Sequence, residues 1–167
     1  YTGGFSFYAM RGGAKLVHSV DSSAKAIDLT NKNVELNFPG DPRHEAFAED
    51  AFKYLDRMGD QYDLIILDPP AFTKSRSSVK NAVKGYREIN LRAMKLLKDG
   101  GFLATCSCSH FMTYELFTQT IGQAAKNVHK RLRQVEYRHQ APDHPILWAA
   151  EESYYLKFYI FQVMNQP

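Results

Sequence analysis

The stretch YDLIILDPP, Tyr62 to Pro70, constrains the fold more than any other part of the chain. Leu64, Ile65, Ile66 and Leu67 are apolar in succession, with no alternation that would put one face in water. The strand they form is therefore expected to be buried, with helices over both faces of its sheet. Pro69 and Pro70 end it at once, because proline donates no ladder hydrogen bond.

Around it, short β-rich runs alternate with longer helical patterns, as in a doubly wound α/β domain with a mostly parallel sheet. AKLVHSVD (Ala14 to Asp21) reads as a strand, followed by a helix from about Ser23 to Asn37 with Ser22 or Ser23 as N-cap. HEAFAED (His44 to Asp50) is a weaker strand leading into AFKYLDRMG, a short helix stopped by Gly59. After DPP, apolar residues at Tyr86, Ile89, Leu91, Met94 and Leu97 give a helical pattern over Val79 to Leu97, which KDGG closes as C-cap and turn. GFLATCSC is the next strand, then come a helix over Tyr114 to His129 and a strand over Gln134 to His139. A loop, QAPDHPILWAAEE, precedes a last strand, YYLKFYIFQV, expected to pair antiparallel at the sheet edge.

With 167 residues, 44% hydrophobic and 23% charged, the chain suits one ordinary domain whose core needs neither disulfides nor a structural metal. No apolar run approaches the roughly 18 to 20 residues of a membrane helix. Two cysteines and no signal peptide agree with a reducing, cytoplasmic setting. A net charge of +3 permits nucleic acid as a partner. Basic residues cluster just after DPPAF (Lys74, Arg76, Lys80, Lys84, Arg87, Arg92) and again at Lys126, Lys130, Arg131 and Arg133, where solvated helix faces are the plainer explanation. Opening on YTGGF without an initiator Met, the chain is expected to be cut from a longer protein, with the first strand of its sheet upstream.

Ligands of open α/β sheets bind beyond the carboxyl ends of the strands, so the strand-end residues are read together. They are Asp21, Asp50, Asp68 with the two prolines, and Thr105 to His110. TGGF is expected as a tight turn after the missing strand, where Gly3 and Gly4 let backbone come close to a ligand. Asp21, about eighteen residues on, sits where an acid accepts from ribose hydroxyls, or else caps a helix. A dinucleotide site would want G-x-G-x-x-G, which Thr2-Gly3-Gly4-Phe5 is not. DPPAF makes a rigid extended loop with a carboxylate at its base and Phe72 at its tip, suited to gripping a planar base.

Taken together, YTGGFSFYA, VDSS, EDAF, LDPPAFTKSR, GYREIN, TCSCSH and QAPDHP resemble one family. It is the class I S-adenosylmethionine-dependent methyltransferases, and within it the bacterial 23S ribosomal RNA cytosine-C5 methyltransferases of the large-subunit methyltransferase I group. The resemblance implies a Rossmann-like sheet, mostly parallel with an antiparallel last strand, forming a single methyltransferase domain over residues 1–167, with an RNA-binding domain upstream in the full protein. By the same resemblance, Tyr1, Thr2, Gly3, Gly4 and Phe5 would line the methionine end of S-adenosylmethionine. Asp21 with Ser22 would hold its ribose, Asp50 with Ala51 would flank its adenine, and Asp68 with Pro69 would lie at methyl transfer. Pro70 and Phe72 would meet the target base, and Lys74 and Arg76 the RNA phosphates. Ribosomal RNA is the implied partner, with no membrane, no metal and room for a homodimer.

Cytosine C5 takes a methyl group only after a thiolate has added at C6, so this chemistry needs a cysteine beside the cofactor. The Thr-Cys-Ser motif of RNA cytosine-C5 methyltransferases is similar to Thr105-Cys106-Ser107, which makes Cys106 the expected nucleophile and Cys108 the alternative. Competing uses of the pair are weaker. Zinc would need about four ligands, and no second Cys/His cluster follows. An i to i+2 disulfide would have to bridge roughly 6.6 Å between Cα atoms, at the limit of good geometry. A core cysteine is the remaining alternative, and for Cys108 the favoured one. His110 is either the base that takes the C5 proton or a hydrogen-bonding loop residue. A methyltransferase without a cysteine nucleophile, or a noncatalytic cofactor- or RNA-binding module, are the other functions the sequence leaves open.

Overall fold

The computed structural model describes residues 1–59, 62–73 and 75–166, and of Arg76 the backbone alone. These fall into two compact units, Tyr1–Met58 and Gly59–Pro167.

In the first unit, helix α1 (Gly4–Arg11) is followed by β1 (Val17–Asp21), α2 (Ala24–Asn37), β2 (His44–Ala48) and α3 (Ala51–Arg57). β1 and β2 pair in parallel from Val17↔His44 to Asp21↔Ala48, so both strands end at the same level. Ser23 caps α2 by accepting from Ala26 N, and the helix buries Ala26, Ile27, Thr30 and Val34 along one stripe. TGGF is not an isolated turn, as expected from the sequence. Gly3, at φ 90°, is the N-cap of α1, a helix that Gly-Gly had disguised.

The second unit holds β3 (Tyr62–Leu67), α4 (Val79–Leu96), β4 (Leu97–Ser107), α5 (Tyr114–Asn127), β5 (Lys130–Arg138) and β6 (Lys157–Asn165), with short 3-10 turns at Arg76–Ser78 and Glu151–Ser153. Its sheet runs β3-β4-β6-β5, with β3 parallel to β4 and β6 antiparallel to both neighbours. The antiparallel last strand is as expected, but it lies inside the sheet and β5 takes the edge. That places Lys130, Arg131 and Arg133 on an edge strand instead of a helix, where charge discourages pairing with another chain. β3 is the opposite edge of this sheet, and Leu64 is 47% exposed, so the strand is less enclosed within its unit than its apolar run suggested.

KDGG is not a helix cap. β4 already starts at Leu97, and the register slips between Tyr62↔Leu97 and Leu64↔Phe102 while Gly100 adopts φ 79°, so the extra residues bulge within the strand. The core of this unit joins α4, α5 and β6 through Tyr86, Ile89, Met94, Phe117, Ile121, Tyr159 and Val163, all at most 3% exposed. Each such side chain contributes about 1.5 to 3 kcal/mol of burial. The Tyr86 and Phe117 rings meet edge to face at 5.5 Å, and Tyr86 OH accepts from Ser107 Oγ at the carboxyl end of β4.

Candidate active site

In the first unit the matched ends of β1 and β2 bring Asp21 beside Ala48, with Glu49 N donating to Asp21 O at 3.0 Å. Asp21 accepts from Ser23 N through Oδ1 at 2.8 Å, and Asp50 caps α3 by accepting from Lys53 N. Ser22 and Asp50 are exposed, and Ala51 is half-buried on the first turn of α3. Glu49, which the sequence reading passed over, is held below the usual carboxylate range by Arg57, whose guanidinium donates to it at 2.6 Å.

Of the opening glycines, Gly3 is required by its backbone and its surroundings. Gly3 lies at positive φ, and a Cβ there would come 2.8 Å from Thr30 Cγ2. A Cβ on Gly4 would meet nothing within 4 Å, so the first turn of α1 is bare. Tyr1 O accepts from Thr30 Oγ1 and Thr2 O from Asn33 Nδ2, which ties this segment to α2 and leaves Tyr1 and Phe5 exposed.

In the second unit the pairing Leu67↔Thr105 places Asp68 beside Cys106. The Cys106 thiol donates to Asp68 Oδ1 and to Leu67 O, each at 3.2 Å. Cys106 is 4% exposed, and burial followed by the Asp68 charge pushes its thiol up far beyond the ordinary cysteine range. Burial and the neighbouring carboxylate both favour the neutral thiol at Cys106. Cys108 is exposed, just past the end of β4.

Its neighbours are fixed from within. Ser107 Oγ donates to Tyr86 OH at 2.9 Å and Ser109 Oγ to Thr73 O at 3.1 Å, and Lys157 Nζ donates to Ser109 O at 2.5 Å. Cys108 and His110 are thus the residues that project. His110 lies over Phe111 with ring centres 3.8 Å apart, in a cleft shared with Val79, Thr113, Glu151 and Glu152.

The Phe72 ring is half-buried. It packs edge to face on buried Tyr86 at 4.7 Å and sits over Gly85, where a Cβ would already be 3.4 Å from the ring. Pro69 is half-buried and Pro70 exposed. Lys74 and the side chain of Arg76 lie outside the described residues. Among the described residues no group of His, Cys, Asp and Glu could hold a metal ion, and no helix is long and apolar enough to cross a membrane.

Residues 1–158 match the family described as S-adenosylmethionine-dependent methyltransferase. The chain belongs to that family. It is 41% identical over 168 residues to Ribosomal RNA large subunit methyltransferase I of Escherichia coli strain K12 and, equally, of Shigella boydii serotype 18. In both cases 98% of this chain is covered but only 42% of the relative's length. Among solved structures, SMU.776 complexed with SAH superposes with a TM-score of 0.83 at 26% identity, over 97% of this chain and 43% of that one. Magnesium protoporphyrin IX methyltransferase from Synechocystis PCC 6803 with bound SAM, at a TM-score of 0.67 and 13% identity over 98% of this chain and 66% of that one, shares the fold.

S-adenosylmethionine is therefore the cofactor of this methyltransferase, and residues of the first unit suit it. Bare helical-turn amides at Gly4 suit close backbone contact, and an acid at each matched strand end suits ribose and adenine contacts. The sequence reading missed Tyr86, Ser107 and Lys157. For Lys157 a signal was present, since it falls in step with Tyr159, Phe161 and Val163 on an alternating strand.

Proposed function

We propose that this chain is the catalytic part of a methyltransferase that acts on C5 of a cytosine in 23S ribosomal RNA, with Cys108 as the nucleophile. The observation that carries this reading is the exposed thiol of Cys108 at a strand end, one residue beyond a segment locked by Ser107, Ser109 and Lys157. The name of the relatives, which the chain spans over less than half their length, supports the substrate class.

Cys108 as thiolate adds to cytosine C6. The S–C6 bond forms as the C5=C6 pair shifts into the ring, and C5 becomes nucleophilic. When bound, S-adenosylmethionine supplies an electrophilic methyl group for C5. His110 takes the C5 proton, the C5–H bonding pair re-forms C5=C6, and the C6–S pair leaves with the thiolate. Asp68 orients the base by accepting from its exocyclic amine. Cys106 serves it as a positioning residue, because its S–H holds Oδ1 and leaves the carboxylate in one rotamer.

Mass mapping of ribosomal RNA from cells lacking the gene tests the substrate, with loss of one 5-methylcytidine expected. Survival of every methylated cytidine would overturn it. RNA carrying 5-fluorocytidine at the target tests the mechanism, since it has no C5 proton to lose. A covalent complex mapped to Cys108 is expected, and its absence would remove covalent catalysis.

A further inference from the structure

Strand β6 alternates buried and half-buried positions, and its buried row reads Lys157, Tyr159, Phe161, Val163. A lysine in a row of aromatic and aliphatic side chains is 1% exposed. Burying an ammonium is costly unless its protons are satisfied. Lys157 Nζ donates to two backbone carbonyls, Ser109 at 2.5 Å and Tyr155 at 2.6 Å. Among the described residues no carboxylate forms an ion pair with it.

The placement of this cation is specific. In the ladder Lys157 lies opposite Ser107, and its ammonium reaches the carbonyl of Ser109, so it spans the turn on both sides of Cys108. Ser109 N also donates to Ser107 Oγ, which closes the turn on itself. An ammonium close to a thiol favours its thiolate form.

We propose that Lys157 is a positioning residue for the nucleophile: its buried ammonium fixes the turn that carries Cys108 and stabilises the Cys108 thiolate. This rests on the reading of Cys108 as the nucleophile. Burial brings Lys157 down to about 8, so most of it carries its charge at neutral pH, and the Cys108 charge is the neighbour that opposes the fall. Titratable groups on the packed elements include Asp68 after β3, Cys106 in β4, Tyr86 in α4, His110 past the turn, Tyr155 before β6, Tyr159 within it, and Glu136, Tyr137 and Arg138 of β5. Cys106 and Tyr86 are held neutral by burial, and Arg138 is taken by Glu136 at 2.9 Å.

The test is the pH dependence of Cys108 alkylation by iodoacetamide in the full-length protein, with the modified peptide quantified by mass spectrometry. In Lys157→Met the midpoint should rise by about one pH unit, so that reaction near neutrality slows about tenfold. A folded Lys157→Met protein with an unchanged profile would overturn the proposal. A reciprocal measurement does not require that variant to fold. In Cys108→Ser the NMR-detected titration of Lys157 should move to lower pH, because coupling between two sites acts equally on both. An unmoved Lys157 titration would likewise overturn it. Both readouts are independent of methyl transfer. If Cys108→Ala methylates RNA normally, the nucleophile assignment fails, whereas the coupling between Lys157 and Cys108 is judged by the titrations.

Discussion

Cys106 Sγ lies 3.2 Å from Asp68 Oδ1 and donates to it, across the ends of two parallel strands. The contact sets the two cysteines apart, since the buried Cys106 thiol donates to a carboxylate while Cys108 is exposed, and it underlies the proposed division of roles between them. Cys106→Ser keeps a donor at that place and should retain methyl transfer within about tenfold, whereas Cys108→Ala should lower it by about a thousandfold or more. Initial rates on ribosomal RNA substrate check both. Alkylation of the native protein should favour Cys108 by at least about a hundredfold. The reverse order of effects would return the role to Cys106.

Gly3 combines φ 90° with a neighbour 2.8 Å from where a Cβ would stand. Gly3→Ala should therefore cost about 1 to 2 kcal/mol of stability from backbone strain alone, with crowding against Thr30 added to it. Since Gly3 caps the helix whose first turn we propose as a cofactor contact, S-adenosylmethionine affinity should fall about tenfold or more. Calorimetric titration and urea unfolding measure the two effects. Gly4→Ala, at an open position, should disturb stability far less.

Ser107 and Tyr86 share a hydrogen bond in the interior, and both are at most 0% exposed. Tyr86→Phe keeps the ring against Phe72 and Phe117 but leaves the Ser107 hydroxyl to find another acceptor, at a cost of about 1 to 3 kcal/mol. The segment before Cys108 would be the part loosened. Thermal unfolding and amide exchange at Ser107 and Ser109 should report it, and unchanged exchange there would refute this link.

The strand-end row was legible because strand ends follow from hydrophobic runs and their stops. Asp21, Asp50, Asp68 and the cysteine pair all stand at or just beyond the ends of their strands. What the sequence could not resolve was the choice between residues two apart. Cys106 and Cys108 have the same type and similar flanks, and it is where β4 ends, at Ser107, that buries one and exposes the other. The packing of Phe72 was hidden for a related reason. An aromatic after two prolines looks exposed until Gly85 on a distant helix makes room for its ring. Likewise α1 and the bulge in β4 depend on glycines whose positive φ no local pattern announces. Lys157 was hidden by its type, because a lysine in a strand is read as solvated unless the buried row on either side is counted.

Lys157 also makes a prediction about stability against pH, and its sign follows from burial. Its pKa falls from 10.5 in the unfolded chain to about 8 when folded. Below about 8 the folded protein must keep the charge buried, and above 10.5 both states are neutral. The contribution is therefore fully present above 10.5 and is lost as pH falls through about 8. Relative to Lys157→Met, which has no such group, the native protein should gain stability between those limits, by about 3 kcal/mol in all. Below about 8 the difference should be flat. Urea midpoints of the two proteins across this range, both carrying Cys108→Ser so that the coupled thiol drops out, give the curve, and taking the difference cancels the tyrosines that titrate there in both. A difference independent of pH throughout would mean that Lys157 keeps its unfolded pKa, and that its ammonium is solvated and not buried beneath the Cys108 turn.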